Sequence, residues 1–144
     1  MGRRTAAALG IAFVVLLGAA VPAGAAEFRA FAELTGENEV PGPGDPDGSG
    51  VGIVDIHSKG RVCVSLAYDD IKPPTGFHIH QGSETEAGPV VIDFTSLIPT
   101  RGGCVEADPA LVQQIRDHPA GFYTNVHNEQ FPLGAIRGQL RRSR

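Results

Sequence analysis

The sequence predicts an all-β fold, an antiparallel sandwich or barrel with one short helix. About seven or eight short apolar segments follow one another between residues 28 and 140, and turns rich in Gly, Pro, Asp and Ser separate them. Only one stretch, which begins at Asp108-Pro109, carries the signals of a helix. Many short strands with frequent turns and little helix are typical of antiparallel all-β domains.

Each predicted strand is an apolar segment bounded by turn residues. The strands are expected at residues 28–34, 52–57, 61–69, 75–82, 89–94, 120–128 and 135–140. The first strand alternates only in part, so its register stays open. The second and third form a hairpin through Ser58-Lys59-Gly60. In the third strand Val62 and Val64 face inward, which places Cys63 on the opposite face.

Two segments between the strands are predicted to be irregular, residues 42–50 and 95–103. The first contains Asp45 and Asp47 in the spacing that opens a calcium loop. A hydrophobic Ile56 stands where such a loop needs a bidentate Glu, so we expect a solvated turn.

The helix signals follow the second irregular segment. Asp108 is a good N-cap, and Pro suits the first helical position. Leu111, Val112 and Ile115 form an apolar stripe, and His118-Pro119 ends the pattern. The sequence therefore predicts one short amphipathic helix.

Residues 1–26 have the pattern of a secretory signal peptide. Arg3 and Arg4 precede an apolar run over residues 6–20, and small residues close it at 23–26. An uncleaved membrane anchor is the alternative, but a run of about 15 residues is shorter than the roughly 20 that span a bilayer. We expect cleavage after Ala25 or Ala26, no membrane span afterwards, and either free secretion or a periplasmic location.

The net charge and the cysteine content of the mature chain indicate which partners and which compartment to expect. Two of the 12 basic residues and none of the 16 acidic residues lie in the first 26, so the mature net charge is −6. An acidic chain argues against nucleic acid and anionic lipid as partners, and the basic tail over residues 137–144 is too short to overturn this. The two cysteines, Cys63 and Cys104, predict a disulfide in an exported protein.

Two predicted strands carry histidines on one face. Phe77 and Ile79 alternate with His78 and His80, so the two imidazoles point away from the core. On the strand at 120–128, His127 shares a face with Tyr123 and Asn125. If the strands meet, three imidazoles converge and offer a copper or catalytic zinc site. The alternative is that these histidines are structural or lie on a solvent face.

Three further residues are candidates for a role at this site. His57 and His118 lie next to a turn and after a helix, so we interpret both as structural or exposed. Arg137 shares a face with Ala135 and Gln139, where small neighbours leave room for a ligand. It either attracts a small anion or is an ordinary surface arginine.

The order of several motifs resembles the CHRD domain, which is widespread in secreted proteins. The motifs lie at residues 39–41, 48–50, 78–82, 88–91, 123–127 and 131–140. The match covers nearly all of residues 27–144, so we assign this range to one CHRD-type domain. The family's function is poorly defined, so the resemblance implies little about activity.

A second likeness concerns the chemistry. Residues 76–80 resemble the Gly-Phe-His-x-His strand of copper/zinc superoxide dismutases, Val126-His127 resembles a later copper ligand pair, and residues 134–137 resemble the segment whose Arg steers superoxide. The likeness implies a Greek-key barrel, copper on His78, His80 and His127, cycling between Cu(II) and Cu(I), and an anion held by Arg137. No His lies in residues 81–94, so the resemblance does not extend to zinc.

These expectations leave more than one function open. The first is a copper-binding module, with superoxide dismutation if it is an enzyme. The second is a non-catalytic extracellular domain that binds a protein or glycan, and the third is copper buffering without turnover.

Overall fold

A computed structural model describes residues 27–143, and the predicted signal peptide lies outside this range. Nine strands and one α-helix make up the regular structure of the described part. The strands are β1 Phe28–Thr35, β2 Ser49–Ile56, β3 Arg61–Asp69, β4 Pro74–Gln81, β5 Val90–Asp93, β6 Gly102–Glu106, β7 Phe122–Asn128, β8 Ile136–Gln139 and β9 Arg141–Arg142. The helix is α1, Pro109–Asp117, and short 3-10 segments lie at Ser58–Gly60, Thr95–Thr100 and Pro119–Gly121. Within residues 27–143, no helix combines the length and the apolarity that a membrane span needs.

The strands form one antiparallel sheet that curls into a half-barrel. Its order is β5-β4-β7-β8-β1-β2-β3-β6, and β9 pairs with β1 beside this path. The β3–β4, β5–β6 and β6–β7 connections join strands that are not neighbours in this order. The all-β antiparallel prediction, with its single helix and disulfide, is thus confirmed. The strand order brings β4 beside β7, and this pairing decides where the histidines lie.

The core fills the inside of the curl. Phe77 and Ile79 of β4 face Val126 of β7 and Ile136 of β8, and each is at most 1% exposed. Burial of such side chains stabilises the fold by about 1.5–3 kcal/mol each. Because successive strand residues alternate in direction, the residues between them point to the outer face of the sheet. The polar residues of β4, β7 and β8 therefore collect on that outer face.

The helix α1 begins as the sequence predicts. The Asp108 Oδ1 atom accepts a hydrogen bond from the Ala110 backbone N–H at 2.6 Å, which satisfies one free donor of the first turn. Val112 and Ile115 are buried in the same core as the strands. The predicted cap and apolar stripe are both confirmed.

The disulfide joins two strands that lie side by side. Cys63 of β3 stands directly opposite Cys104 of β6 in the sheet register, and the two are bonded. The segment around Gly102-Gly103 was expected to be irregular, and this expectation is wrong. Glycine disfavours strands intrinsically, and here pairing with β3 overrides that preference.

The loop between β1 and β2 is solvated as predicted at residues 46 and 47, but part of it is buried. The Asp45 backbone N–H donates to the Ala135 carbonyl at 2.9 Å, and Asp45 is only 8% exposed. Glu39, earlier in the same loop, is 6% exposed. The loop lies over the outer face, where the Asp45 hydrogen bond and a donation from Asn38 Nδ2 to the Arg137 carbonyl at 3.2 Å hold it beside β8.

Candidate metal centre

The structure brings His78, His80 and His127 together on the outer face of the sheet. One ring nitrogen from each lies within 4.8 Å of the other two. In the β4–β7 register, Gly76 stands opposite His127 and His80 stands opposite Tyr123. The sequence predicted that the three imidazoles converge if the two strands meet. The strands do pair, so this prediction is confirmed.

Gly76 makes this close approach of the rings possible. It precedes His78 by two residues, so a side chain at this position would point to the same face as the imidazoles. A Cβ atom there would lie 3.0 Å from His78 Cε1 and 3.2 Å from His127 Cδ2. The absence of a side chain leaves the space that the two rings occupy.

The rings of His80 and His127 are each held by a backbone carbonyl. His80 Nδ1 lies 2.9 Å from the Gly88 oxygen, and His127 Nδ1 lies 3.1 Å from the Pro132 oxygen. A carbonyl only accepts, so Nδ1 must carry the proton in both rings, which leaves a lone pair on Nε2. Both Nε2 atoms are buried and have no hydrogen-bond partner among the described residues.

In His78 the roles of the two ring nitrogens are reversed. Its Nε2 lies 3.2 Å from Thr95 Oγ1 and 3.6 Å from Asp93 Oδ1, whereas its Nδ1 is buried without a partner in the described part of the chain. A proton on Nε2 is donated to Thr95 Oγ1, close to the Asp93 carboxylate, and leaves the lone pair on Nδ1. The cluster thus offers one Nδ1 and two Nε2 lone pairs, each on a ring fixed through its other nitrogen, as metal-bound imidazoles are.

Electrostatics keep the three rings neutral. Burial, followed by the charge of His127, lowers the pKa of His78 to about 4, although Asp93 opposes this. Burial also lowers the pKa of His127, against the hydrogen bond to Pro132. Burial lowers the pKa of His80 as well, against the hydrogen bond to Gly88. Neutral imidazole is the form that binds a metal, so the site needs no deprotonation near neutral pH.

Arg137 lies behind the cluster, on the far side of an aromatic ring. Its guanidinium carbon is 3.5 Å from the centre of the Tyr123 ring, while His80 stacks on the same ring with centroids 4.8 Å apart and planes 9° apart. β7 lies between β4 and β8, so Tyr123 separates the guanidinium from the imidazole. The positive charge of Arg137 nevertheless acts on His80. It lowers the pKa of that imidazole, after the larger effect of burial.

Two residues near the site were not singled out from the sequence, Glu39 and Asn125. The Asn125 Nδ2 atom donates to both Glu39 carboxylate oxygens, at 2.7 and 2.9 Å. Burial raises the pKa of Glu39 to about 7, although the Asn125 hydrogen bond and the charge of Arg137 oppose this. Asn125 could have been found from the sequence, because it shares a strand face with His127. Glu39 could not, because its place in a polar loop gave no sign that it is buried.

His57 and His118 lie outside the cluster, as expected. His57 is partly exposed before the 3-10 segment Ser58–Gly60, and His118 is exposed at the end of α1. Neither belongs to the group of ligand atoms formed by the described residues.

The fold and the site define a curled antiparallel β domain with a three-histidine cluster on its outer face. The family model of the CHRD domain matches residues 30–140, so the chain belongs to the CHRD domain family. Domains of this family are of the extracellular type. The search of curated proteins gave no match, and neither did the search of solved structures.

Proposed function

We propose that this domain binds a copper ion through His78 Nδ1, His80 Nε2 and His127 Nε2. One observation carries the proposal: each of the three histidines has a buried ring nitrogen without a partner among residues 27–143, and one ring nitrogen from each lies within 4.8 Å of the other two. Leaving buried polar atoms unsatisfied costs about 1–3 kcal/mol each. A metal ion that accepts all three lone pairs removes this cost.

The donor set favours copper among the first-row metals. Three neutral imidazoles suit copper and zinc, and copper(II) binds nitrogen sites more tightly than zinc does. Both cysteines are in the disulfide, so no thiolate is available in the described chain to shift the preference. The Asp93 carboxylate lies beside the protonated nitrogen of His78 and supports that ring from behind. When bound, copper supplies one-electron chemistry between Cu(II) and Cu(I).

The first experiment is a copper titration of the mature, disulfide-intact chain by calorimetry. The variants are His78→Ala and His127→Ala, and His118→Ala is the matched control because its ring is exposed and outside the cluster. We expect one tight site per chain, lost in both variants and kept in the control. Absence of binding, or binding that survives both substitutions, would refute the proposal.

Electron paramagnetic resonance of the Cu(II)-loaded chain tests the ligand set independently. Three coordinated imidazoles give nitrogen hyperfine structure that each His→Ala variant reduces. A spectrum unchanged in the variants would place the copper elsewhere.

Superoxide dismutation is the enzymatic extension of this proposal. Arg137 supports it through its charge, which acts on the His80 side of the site across Tyr123. The test is the superoxide decay rate of the copper-loaded chain beside Arg137→Gln, over a range of salt concentrations. A rate that falls with salt and with the loss of Arg137 supports dismutation. A copper-loaded chain without activity leaves copper binding without turnover.

A further inference from the structure

The donors of the histidine cluster are all neutral. Among the described residues, the group of possible ligand atoms consists of His78, His80 and His127 and contains no carboxylate. The Asp93 carboxylate lies 3.6 Å from the protonated Nε2 of His78, not beside the free Nδ1 of that ring. The ligands therefore carry no negative charge that would offset the charge of a bound ion.

The free nitrogens of the cluster are also closed to solvent. His78 Nδ1, His80 Nε2 and His127 Nε2 are buried, and the three rings pack together with centroids between 4.9 and 6.0 Å apart. Cu(II) prefers square-planar or tetragonal sites, so it needs at least a fourth donor, which is commonly water. The packed rings present no solvent-facing position for this donor, whereas three nitrogens are sufficient for Cu(I).

A buried positive charge lies one aromatic ring away from the cluster. Arg137 is 1% exposed, and its Nη2 donates to the Ser83 carbonyl at 2.6 Å, which holds the guanidinium in place. None of the ion pairs among the described residues includes Arg137. Two carboxylates act on it from a distance, Glu39, whose pKa burial raises to about 7, and Glu84, which is exposed. At pH 6 Glu39 is largely protonated and solvent screens Glu84, so the charge of Arg137 stays largely uncompensated.

The stacked side chains bring this charge close to the metal ligands without intervening water. The Arg137 guanidinium carbon lies 3.5 Å from the centre of the Tyr123 ring, which stacks on His80. At a separation on the order of 10 Å and an effective dielectric constant of about 20, one unit charge changes a one-electron equilibrium roughly tenfold. Asp93 opposes this effect beside His78, but its side chain is 66% exposed, so solvent screens it more strongly.

We infer that the cluster holds copper as Cu(I) in preference to Cu(II), and that Arg137 strengthens this preference through Tyr123 and His80. The cost of moving an ion from water into a buried site rises with the square of its charge. A neutral, closed ligand set beside a buried cation therefore favours the singly charged ion. This inference rests on the proposed copper site and adds the oxidation state that the site selects.

The test is a pair of competition titrations of the metal-free, disulfide-intact mature chain at pH 6. Cu(I) is titrated against bicinchoninate without oxygen, with ascorbate as a reductant that leaves the disulfide intact, and Cu(II) is titrated against nitrilotriacetate. We expect Cu(I) to bind at least about tenfold more tightly than Cu(II). Equal affinities, or tighter binding of Cu(II), would overturn the inference and leave the proposed copper site standing. Absence of binding of both ions would refute the copper site itself, and the inference with it.

Variants of Arg137 separate its charge from its packing. In Arg137→Gln the ratio of the two affinities should shift about tenfold toward Cu(II), which lowers the reduction potential of the bound copper by about 59 mV. Arg137→Lys keeps the charge and should keep the ratio. Arg101→Gln is the matched control, because Arg101 is exposed and stacks on Tyr68 of β3, a strand that neighbours neither β4 nor β7.

Two outcomes would overturn the role of Arg137. One is an unchanged ratio in a folded Arg137→Gln variant, and the other is an equal shift in Arg137→Lys, which would assign the effect to packing. The titrations of the wild type decide the preference for Cu(I) even if Arg137→Gln does not fold.

Discussion

Substitution of Glu39 by Gln is expected to remove a strong pH dependence of stability. Glu39 is 6% exposed, and burial raises the pKa of its carboxyl group from 4.5 to about 7. The folded state therefore keeps the proton at pH values where the unfolded chain has lost it. Between these two pKa values the folded state binds more protons, so the contribution of Glu39 to stability falls as the pH rises and is fully lost above pH 7.

The size of the effect follows from the shift in pKa. Each pKa unit corresponds to about 1.4 kcal/mol, so the shift is worth about 3 kcal/mol of unfolding free energy. Gln has the same shape and can accept from Asn125 Nδ2, but it does not ionise. As the pH rises from 4.5 to about 8, the unfolding free energy of the Gln variant should therefore increase by about 3 kcal/mol relative to that of the wild type.

The assay is urea unfolding of the metal-free chain at several pH values. The histidines of the cluster titrate in both proteins, so the difference between variant and wild type isolates Glu39. Glu129→Gln, on an exposed residue, is the matched control for the loss of a carboxylate. A Glu39→Gln difference that stays constant across pH would refute the reasoning.

Three other predictions test the fold and the site. Replacing Cys63 and Cys104 together by Ser should cost about 4 kcal/mol in urea unfolding, because it opens a loop with a sequence separation of 41; an unchanged midpoint would contradict this. Gly76→Ala should weaken copper binding about tenfold in calorimetry, because its Cβ would press on two of the imidazoles; wild-type affinity would show that the rings have room. Asp108→Ala should cost about 1 kcal/mol by removing the α1 cap, and a loss of several kcal/mol in urea unfolding would assign Asp108 a different role.

Much of the fold could be predicted because its signals are local. Alternation in β3 and β4 set which side chains face the core, and Asp108-Pro109 set the start of α1. The β6 strand could not be predicted, since Gly102-Gly103 becomes a strand only through its pairing with β3. The burial of Glu39 escaped prediction for a similar reason, because its loop packs against strands that are distant in the sequence.

The sequence by itself determined which face of each strand carries the site. His78 and His80 must point together, and His127 must point with Tyr123 and Asn125, because side chains alternate along any strand. Only the tertiary structure decided that β4 and β7 are neighbours, so that the three imidazoles meet. It also placed Arg137 across Tyr123 from the cluster. Strand order depends on contacts between residues far apart in the chain, and the periodicity of a single segment carries no information about them.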